Sequence, residues 1–168
     1  MHHSLLVVPF EPWHLTVMDI REEQHPTLES MVNEYGSVET YATLMLEAAA
    51  EFVDGEKTAL TFLKNGFPIL SSGVFPLSTH VAQAWMMVSN QFLEATKREK
   101  HSITKRLRLL IDEEGSFGRI QADTETWFSE GARFLEYLGF KREGVMRNFN
   151  SDGSDSYLYG YVRGKNVR

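Results

Sequence analysis

The side chains that could accept a proton are spread over distant segments of the chain. Glu22 and Glu23 follow the first predicted helix. His80 lies in a predicted loop, and Asp123 closely follows a short predicted strand. A carboxylate or an imidazole can act as a general base. Sites tend to form where strands end, as at Asp123, but Asp123 also fits the start of the turn before the next helix. Glu22, Glu23 and His80 also fit solvated surface positions.

Three tyrosines alternate in the segment SYLYGYVR near the end of the sequence. Tyr157, Tyr159 and Tyr161 share one face of a predicted strand, because side chains on a strand alternate with a period of two. Tyr159 is a candidate general acid. An aromatic strand face more often packs against a helix, and we expect packing for two of the three.

A basic segment interrupts an otherwise acidic chain. The net charge is −6, yet the range 97–108 carries six cations and one glutamate. The cations are Lys97, Arg98, Lys100, Lys105, Arg106 and Arg108. Ser102 is predicted to begin a helix, and the N–H groups over Ser102–Lys105 would then favour an anion. The alternative is a solvated helix face.

Composition excludes several classes of function. The sequence has no cysteine, which excludes disulfides, thiolate zinc sites and cysteine nucleophiles. The six histidines show no metal-ligand spacing, so no metal site is predicted. The acidic balance argues against general nucleic-acid binding. No segment resembles a membrane span or a signal peptide, which predicts a cytoplasmic protein.

The 168 residues predict a single domain spanning residues 1–168. The expected order is a strand, two helical regions, a β-hairpin, a strand, a helix, a strand, a helix and a terminal hairpin. The predicted ranges are 5–8, 12–20, 31–52 (broken near Gly36), a hairpin around Asn65-Gly66, 81–90, 102–115, 117–122, 126–138 and a hairpin around Asp152-Gly153. Turns are expected at Asp54-Gly55 and at Gly115. This order predicts an α+β or α/β fold with a mixed sheet.

Two segments, FPILSSGVFPLSTHVAQAWMMVS and ARFLEYLGFKREG, resemble the GCN5-related N-acetyltransferase (GNAT) superfamily, and most closely its small phage-encoded members. The resemblance implies a mostly antiparallel mixed sheet flanked by helices. It also implies acetyl-CoA as cosubstrate, bound between splayed central strands, with an amine acceptor entering from the opposite side. Direct attack by the amine would need no covalent enzyme intermediate.

The resemblance also implies residue roles. The pantetheine arm would use backbone groups of Met87, Val88 and Ser89, with Phe134 on the cofactor side. The pyrophosphate would bind near the predicted helix start, at Lys97, Lys100, Ser102 and Lys105. The catalytic candidates are Glu22, Asp123 and Tyr159.

The chain departs from the family pattern at two places. The family's glycine-rich pyrophosphate loop, R/Q-x-x-G-x-G/A, is replaced by NQFLEATKREKH, which contains no glycine. Members usually carry a tyrosine five residues before the phenylalanine of the closing Gly-Phe, and here Leu135 takes that place before Phe140. Tyr137 lies roughly 200° further around the helix, which favours a partly exposed position for it.

Three functions follow from these observations. The first is an acetyl-CoA-dependent N-acetyltransferase that acts on a small-molecule or protein amine. The second is a GNAT-like fold without turnover, acting as a binding or virion-associated component with a phage or host partner. The third is an α+β ligand-binding domain with the same element order. The edge of the terminal hairpin is also compatible with a homodimer.

Overall fold

The computed structural model describes residues 5–50, 59–113 and 117–164. Seven strands form one sheet: β1 Leu5–Pro9, β2 Ala59–Lys64, β3 Phe67–Pro76, β4 Val81–Val88, β5 Arg119–Glu125, β6 Lys141–Met146 and β7 Ser156–Val162. The helices are α1 Trp13–Val17, α2 His25–Tyr35, α3 Val38–Ala50, α4 Lys97–Glu113 and α5 Ser129–Leu138, with 3-10 turns at Glu22–Gln24 and Asn90–Glu94.

The strand order across the sheet is β1-β2-β3-β4-β5-β7-β6. Strands β4 and β5 are parallel, and the other neighbours are antiparallel. The predicted mixed α+β fold is therefore confirmed. The hairpin between β2 and β3 is also confirmed, because Asn65 and Gly66 both have positive φ, as a two-residue turn of this kind requires.

The two faces of the sheet carry separate cores. Helices α4 and α5 pack on one face around Ile103, Leu107 and Tyr159. Helices α1, α2 and α3 pack on the other face, where Trp85 and Met87 of β4 meet Phe10. Strand β4 is thus covered on both sides, as its doubly apolar sequence predicts.

The prediction that Ser102 begins a helix is wrong, because α4 starts five residues earlier, at Lys97. Thr96 and Glu99 form a reciprocal capping box: Glu99 N–H donates to Thr96 Oγ1 at 3.2 Å, and Thr96 N–H donates to Glu99 Oε2 at 2.7 Å. Glu99 also pairs with Lys64 at 3.1 Å. Ser102 therefore lies inside the helix, and Ser102–Lys105 is not a helix N-terminus.

Two further boundaries differ from the predictions. Strand β5 continues to Glu125, so Asp123 lies within the strand rather than beyond it. The break at Gly36 is confirmed, with a left-handed φ of 83°, but the helix before it begins at His25. The predicted helix end at Phe52 and the turns at Asp54-Gly55 and Gly115 lie outside the described residues. No helix in the described part of the chain is long and apolar enough to span a membrane.

Candidate functional site

The sheet opens in its middle, where β4 and β5 separate. These parallel strands pair only at Val81↔Arg119, Ala82↔Ile120 and Gln83↔Gln121. Beyond the last pair both strands continue for several residues without pairing to each other. We call this opening the fork. A cavity of about 660 Å³ fills it and reaches α2, α4 and α5.

The two faces of the sheet give the cavity two different sides. Gln83, Asp123 and Glu125 alternate with the core residues Ala82 and Ala122, so they point away from α4 and α5. Thr27, Met31 and Tyr41 of α2 and α3 complete that polar side. The opposite side is apolar, and is lined by Met86, Val88, Leu107, Phe134, Leu135 and Leu138.

Asp123 is the central carboxylate of the polar side. Its Oδ1 accepts a hydrogen bond from Gln83 Nε2 at 2.8 Å, and Gln83 Oε1 accepts one from Gln121 Nε2 at 3.2 Å. The side chain is exposed at the cavity opening, and the neighbouring cavity walls remove only part of its hydration. This desolvation raises the pKa of Asp123, and the hydrogen bond from Gln83 opposes the shift only partly.

Two other ionisable groups line the same side. Burial raises the pKa of Glu125, and the charge of Asp123 raises it further, against a hydrogen bond with Thr27. Burial also raises the pKa of Tyr41, with smaller contributions from Tyr35, Glu34 and, least of all, Asp123. Tyr41 is therefore a protonated phenol close to a carboxylate. The polar side combines a proton acceptor with a proton donor.

Arg21 is the one cationic side chain among the described residues that line the cavity. It is already neutralised, because it pairs with Glu23 at 2.8 Å and with Glu130 at 2.9 Å, and it lies over the ring of Phe128. Asp123 forms no ion pair with any described residue. A cationic ligand would supply the missing partner.

The edge of β4 that faces the fork is partly covered. Gln24 Nε2 donates to Met86 O at 2.8 Å, and Val88 N–H donates to Gln24 Oε1 at 2.7 Å. Arg21 N–H donates to Val88 O at 2.9 Å. The backbone groups of Val88, which sequence reasoning assigns to a pantetheine arm, thus already have partners within the chain.

The structure brings four of the predicted site residues to the cavity, namely Met87, Val88, Asp123 and Phe134. Ser89 is fully buried beside it, where its hydroxyl accepts from Gln91 N–H at 3.0 Å. Glu22 is exposed and does not line the cavity. His80 is exposed in its loop, with its ring against Gly118, also away from the cavity.

Tyr159 is not brought to the cavity either. It is completely buried on the face of β7 that packs against α5, and its hydroxyl donates to Glu136 Oε1 at 3.0 Å. Tyr161, on the same face, donates to Asp112 Oδ1 at 2.7 Å. Both rings belong to the core around α4 and α5, and Tyr157 packs against the same core, so all three tyrosines pack there rather than the two expected.

The predicted phosphate-binding side chains lie on the first turns of α4, outside the cavity lining. Lys97, Ser102 and Lys105 are exposed. Lys100 is half-buried, since its Nζ donates to Leu93 O at 3.2 Å and lies over the ring of Phe92. Phe92 itself lines the cavity, so Lys100 borders the apolar side at that point.

The expectation that Leu135 takes the place of the family tyrosine in α5, and that Tyr137 is partly exposed, is confirmed. Leu135 is buried and lines the cavity, whereas Tyr137 is half-exposed on the outer surface, where Arg108 lies over its ring. Among the described tyrosines, Tyr41 alone lines the cavity. Sequence reasoning missed Tyr41 as a site residue, because helical periodicity explains it as one member of an apolar helix face.

Sequence reasoning also missed Gln24 and Gln83. A signal for Gln83 exists in the alternation of β4, which gives a glutamine the same face as Trp85. No such signal exists for Gln24, whose partners lie more than sixty residues away. No group of three or more potential metal-ligating side chains occurs among the described residues.

Comparison with known proteins gives results at the level of structure only. No family model matches the sequence. No curated protein sequence matches it either. A putative acetyltransferase, yncA, from Salmonella typhimurium, solved with its cofactor acetyl-CoA, superposes with a TM-score of 0.67 at 10% identity, over 98% of this chain and 97% of that one.

Two further solved structures are similar. Ard1 from Thermoplasma volcanium gives a TM-score of 0.62 at 16% identity, over 95% of this chain and 97% of that one. The ribosomal-protein-S18-alanine N-acetyltransferase from Escherichia coli gives 0.61 at 14% identity, over 98% of this chain and 99% of that one. At these identities the likeness shows the fold, which is the single-domain fold of GNAT acetyltransferases.

Proposed function

We propose that this chain is an N-acetyltransferase that transfers an acetyl group from acetyl-CoA to a cationic primary amine. The observation that carries the proposal is the position of the Asp123 carboxylate, which lines the cavity where the parallel strands separate and has no cationic partner among the described residues. The shared fold with acetyltransferases of known structure supports it.

The residues present fit the cosubstrate on its apolar side. Met86, Leu107 and Phe134 would surround the pantetheine arm, and Lys100 beside Phe92 would favour its phosphates. The β4 edge already binds an amide, that of Gln24, which demonstrates that its donors and acceptors suit amide groups. When bound, acetyl-CoA supplies an activated acetyl thioester.

The polar side of the cavity would bind the ammonium group of the acceptor and take its proton. The uncompensated charges of Asp123 and Glu125 attract an ammonium group into an otherwise apolar cavity. Because partial desolvation raises the pKa of Asp123, its carboxylate is a stronger base than a fully hydrated aspartate and can take the ammonium proton, directly or through water. Gln83 holds that carboxylate in one orientation.

A proton donor is also needed for the departing thiolate. Tyr41 is the candidate that lines the cavity, and its raised pKa keeps it protonated at neutral pH. The fully buried Tyr159 would need to leave its bond with Glu136 to serve. We therefore assign the donor role to Tyr41.

Thermal unfolding with acetyl-CoA tests the cosubstrate. A ligand at 100 times its dissociation constant adds about 2.7 kcal/mol of stability. For a chain of this size that corresponds to a rise in Tm of roughly 5–10 °C. The absence of any shift at millimolar acetyl-CoA and CoA would refute the proposal and favour a GNAT-like fold without turnover.

Release of CoA thiol in the presence of a panel of cationic amines tests the chemistry. Asp123→Asn should lower kcat/KM by about 10²-fold or more, the usual contribution of a general base. It should also remove the rise of activity with pH through the raised pKa of Asp123. Asp19→Asn, an exposed carboxylate on the loop before the 3-10 turn, is the matched control.

A further inference from the structure

Gln24 stands at the point where any ligand amide would reach the open edge of β4. Its carboxamide makes two short hydrogen bonds, to Met86 O at 2.8 Å and from Val88 N–H at 2.7 Å. The side chain is half-buried, and it lines the cavity. One carboxamide therefore satisfies a donor and an acceptor of the same strand edge.

This pair of bonds reproduces the pattern of a parallel ladder. In such a ladder, one residue of the neighbouring strand donates to residue i−1 and accepts from residue i+1. Here the bonds bracket Met87. The register Gln83↔Gln121, continued for four residues, would place Glu125 opposite Met87 if the strands did not separate. Gln24 thus takes the place that β5 leaves at the fork.

The rest of the segment is anchored independently of this side chain. Arg21 N–H donates to Val88 O at 2.9 Å, and Ile20 forms a bridge with Ser89. Gln24 N–H donates to Arg21 O at 3.0 Å within the 3-10 turn. The carboxamide can therefore rotate away from β4 while the backbone of the turn keeps its contacts.

We propose that Gln24 is an internal competitor for the amide-binding groups of β4, and that cosubstrate binding displaces its side chain. The inference rests on the proposed function, since it identifies the incoming group as an amide of the pantetheine arm. Val88 N–H has a single hydrogen to donate and cannot serve both amides at once. While Gln24 is hydrogen-bonded to Met86 and Val88, the β4 edge is not available to the cosubstrate. The apparent affinity for the cosubstrate is therefore reduced in proportion to the fraction of molecules in which Gln24 has left β4.

Calorimetric titration of three variants with CoA tests the competition. Gln24→Ala removes both bonds, and Gln24→Met removes them while keeping most of the side-chain volume. Because two competing hydrogen bonds are removed, Gln24→Ala should bind CoA about tenfold more tightly, or better. Asn33→Ala, which removes an exposed carboxamide of α2 outside the cavity lining, should bind as the wild type does.

The outcomes separate the two proposals. CoA binding to wild type that is equal to or tighter than binding to Gln24→Ala would overturn the competition and leave the proposed function intact. If no variant binds CoA, the proposed function itself fails. A gain in Gln24→Ala that is lost in Gln24→Met would mean that side-chain volume, and not amide pairing, limits binding.

Titration with pantetheine, which lacks the phosphates, isolates the strand edge from the cations of α4. The gain in Gln24→Ala should persist with this probe, and a gain seen only with CoA would contradict the inference. Hydrogen exchange gives a readout independent of affinity. The Val88 amide should exchange faster in Gln24→Ala than in wild type, and CoA should restore its protection. Unchanged exchange would show that Gln24 does not hold this edge in solution.

Discussion

Replacement of Tyr159 by phenylalanine separates a catalytic from a structural role for the residue that sequence reasoning selects as the acid. The hydroxyl is completely buried and makes one hydrogen bond, to Glu136 at 3.0 Å. Its removal deletes that bond and leaves the ring in place. Since Glu136 is exposed, water can replace the lost donor. We expect a loss of about 1 kcal/mol in the free energy of unfolding.

The measurement has two parts. Urea unfolding followed by circular dichroism should show a lower midpoint at unchanged m-value, together with a fall in Tm of about 2–4 °C. Acetyl transfer should keep its kcat/KM. A general acid contributes about 10²–10⁴-fold to the rate, so a catalytic role would be unmistakable. A fall in kcat of that size with unchanged stability would refute the structural role of Tyr159. Tyr41→Phe, which removes the phenol that lines the cavity, is the comparison variant in which we expect that fall in kcat.

Three further predictions concern stability and pH. In Gly131→Ala, the added Cβ would lie 2.6 Å from Thr124 Oγ1 and 2.7 Å from Phe128 Cδ1, so these side chains or α5 must shift. We expect a cost of about 1–3 kcal/mol in denaturant unfolding, and an unchanged midpoint would contradict this close approach. Thr96→Ala removes one half of the capping box and should cost about 1 kcal/mol, whereas Thr96→Ser should cost much less. Burial lowers the pKa of His14 against the charge of Glu11, so the unfolded chain binds the imidazole proton more readily than the folded chain does. The contribution of neutral His14 to the free energy of unfolding is complete above pH ~6.5 and is lost as the pH falls toward the lowered pKa. His14→Asn should therefore flatten the dependence of stability on pH below pH ~6.5.

Local patterns predict most of the fold. The Asn65-Gly66 turn, the break at Gly36 and the doubly apolar β4 each act through backbone preference or burial within a few residues. The start of α4 was missed because Ser102 is also a good N-cap residue. The sequence also contains the capping-box pattern Thr96-x-x-Glu99. The reciprocal bond from Thr96 N–H to Glu99, which Ser102 has no equivalent for, accompanies the start of α4 at Lys97.

The candidate site is less predictable because its contacts are long-range. Asp123 could be selected from its place at the end of a predicted strand, and Phe134 from the family resemblance, and both line the cavity. The bond from Gln83 to Asp123 joins residues forty positions apart, and the bonds of Gln24 span more than sixty. Such pairs depend on how β4 and β5 align in space, which no local pattern encodes.

The strand order at the far side of the sheet has a consequence for synthesis on the ribosome. Strand β7 lies between β5 and β6, so β6, which is made first, has no sheet partner until β7 is inserted. The β1–β4 part of the sheet consists of strands paired with their neighbours in that order and can form while translation continues. The edge of β5 away from the fork stays unpaired until the nascent chain has emerged through Val162, which is the interval in which we expect a chaperone to be needed.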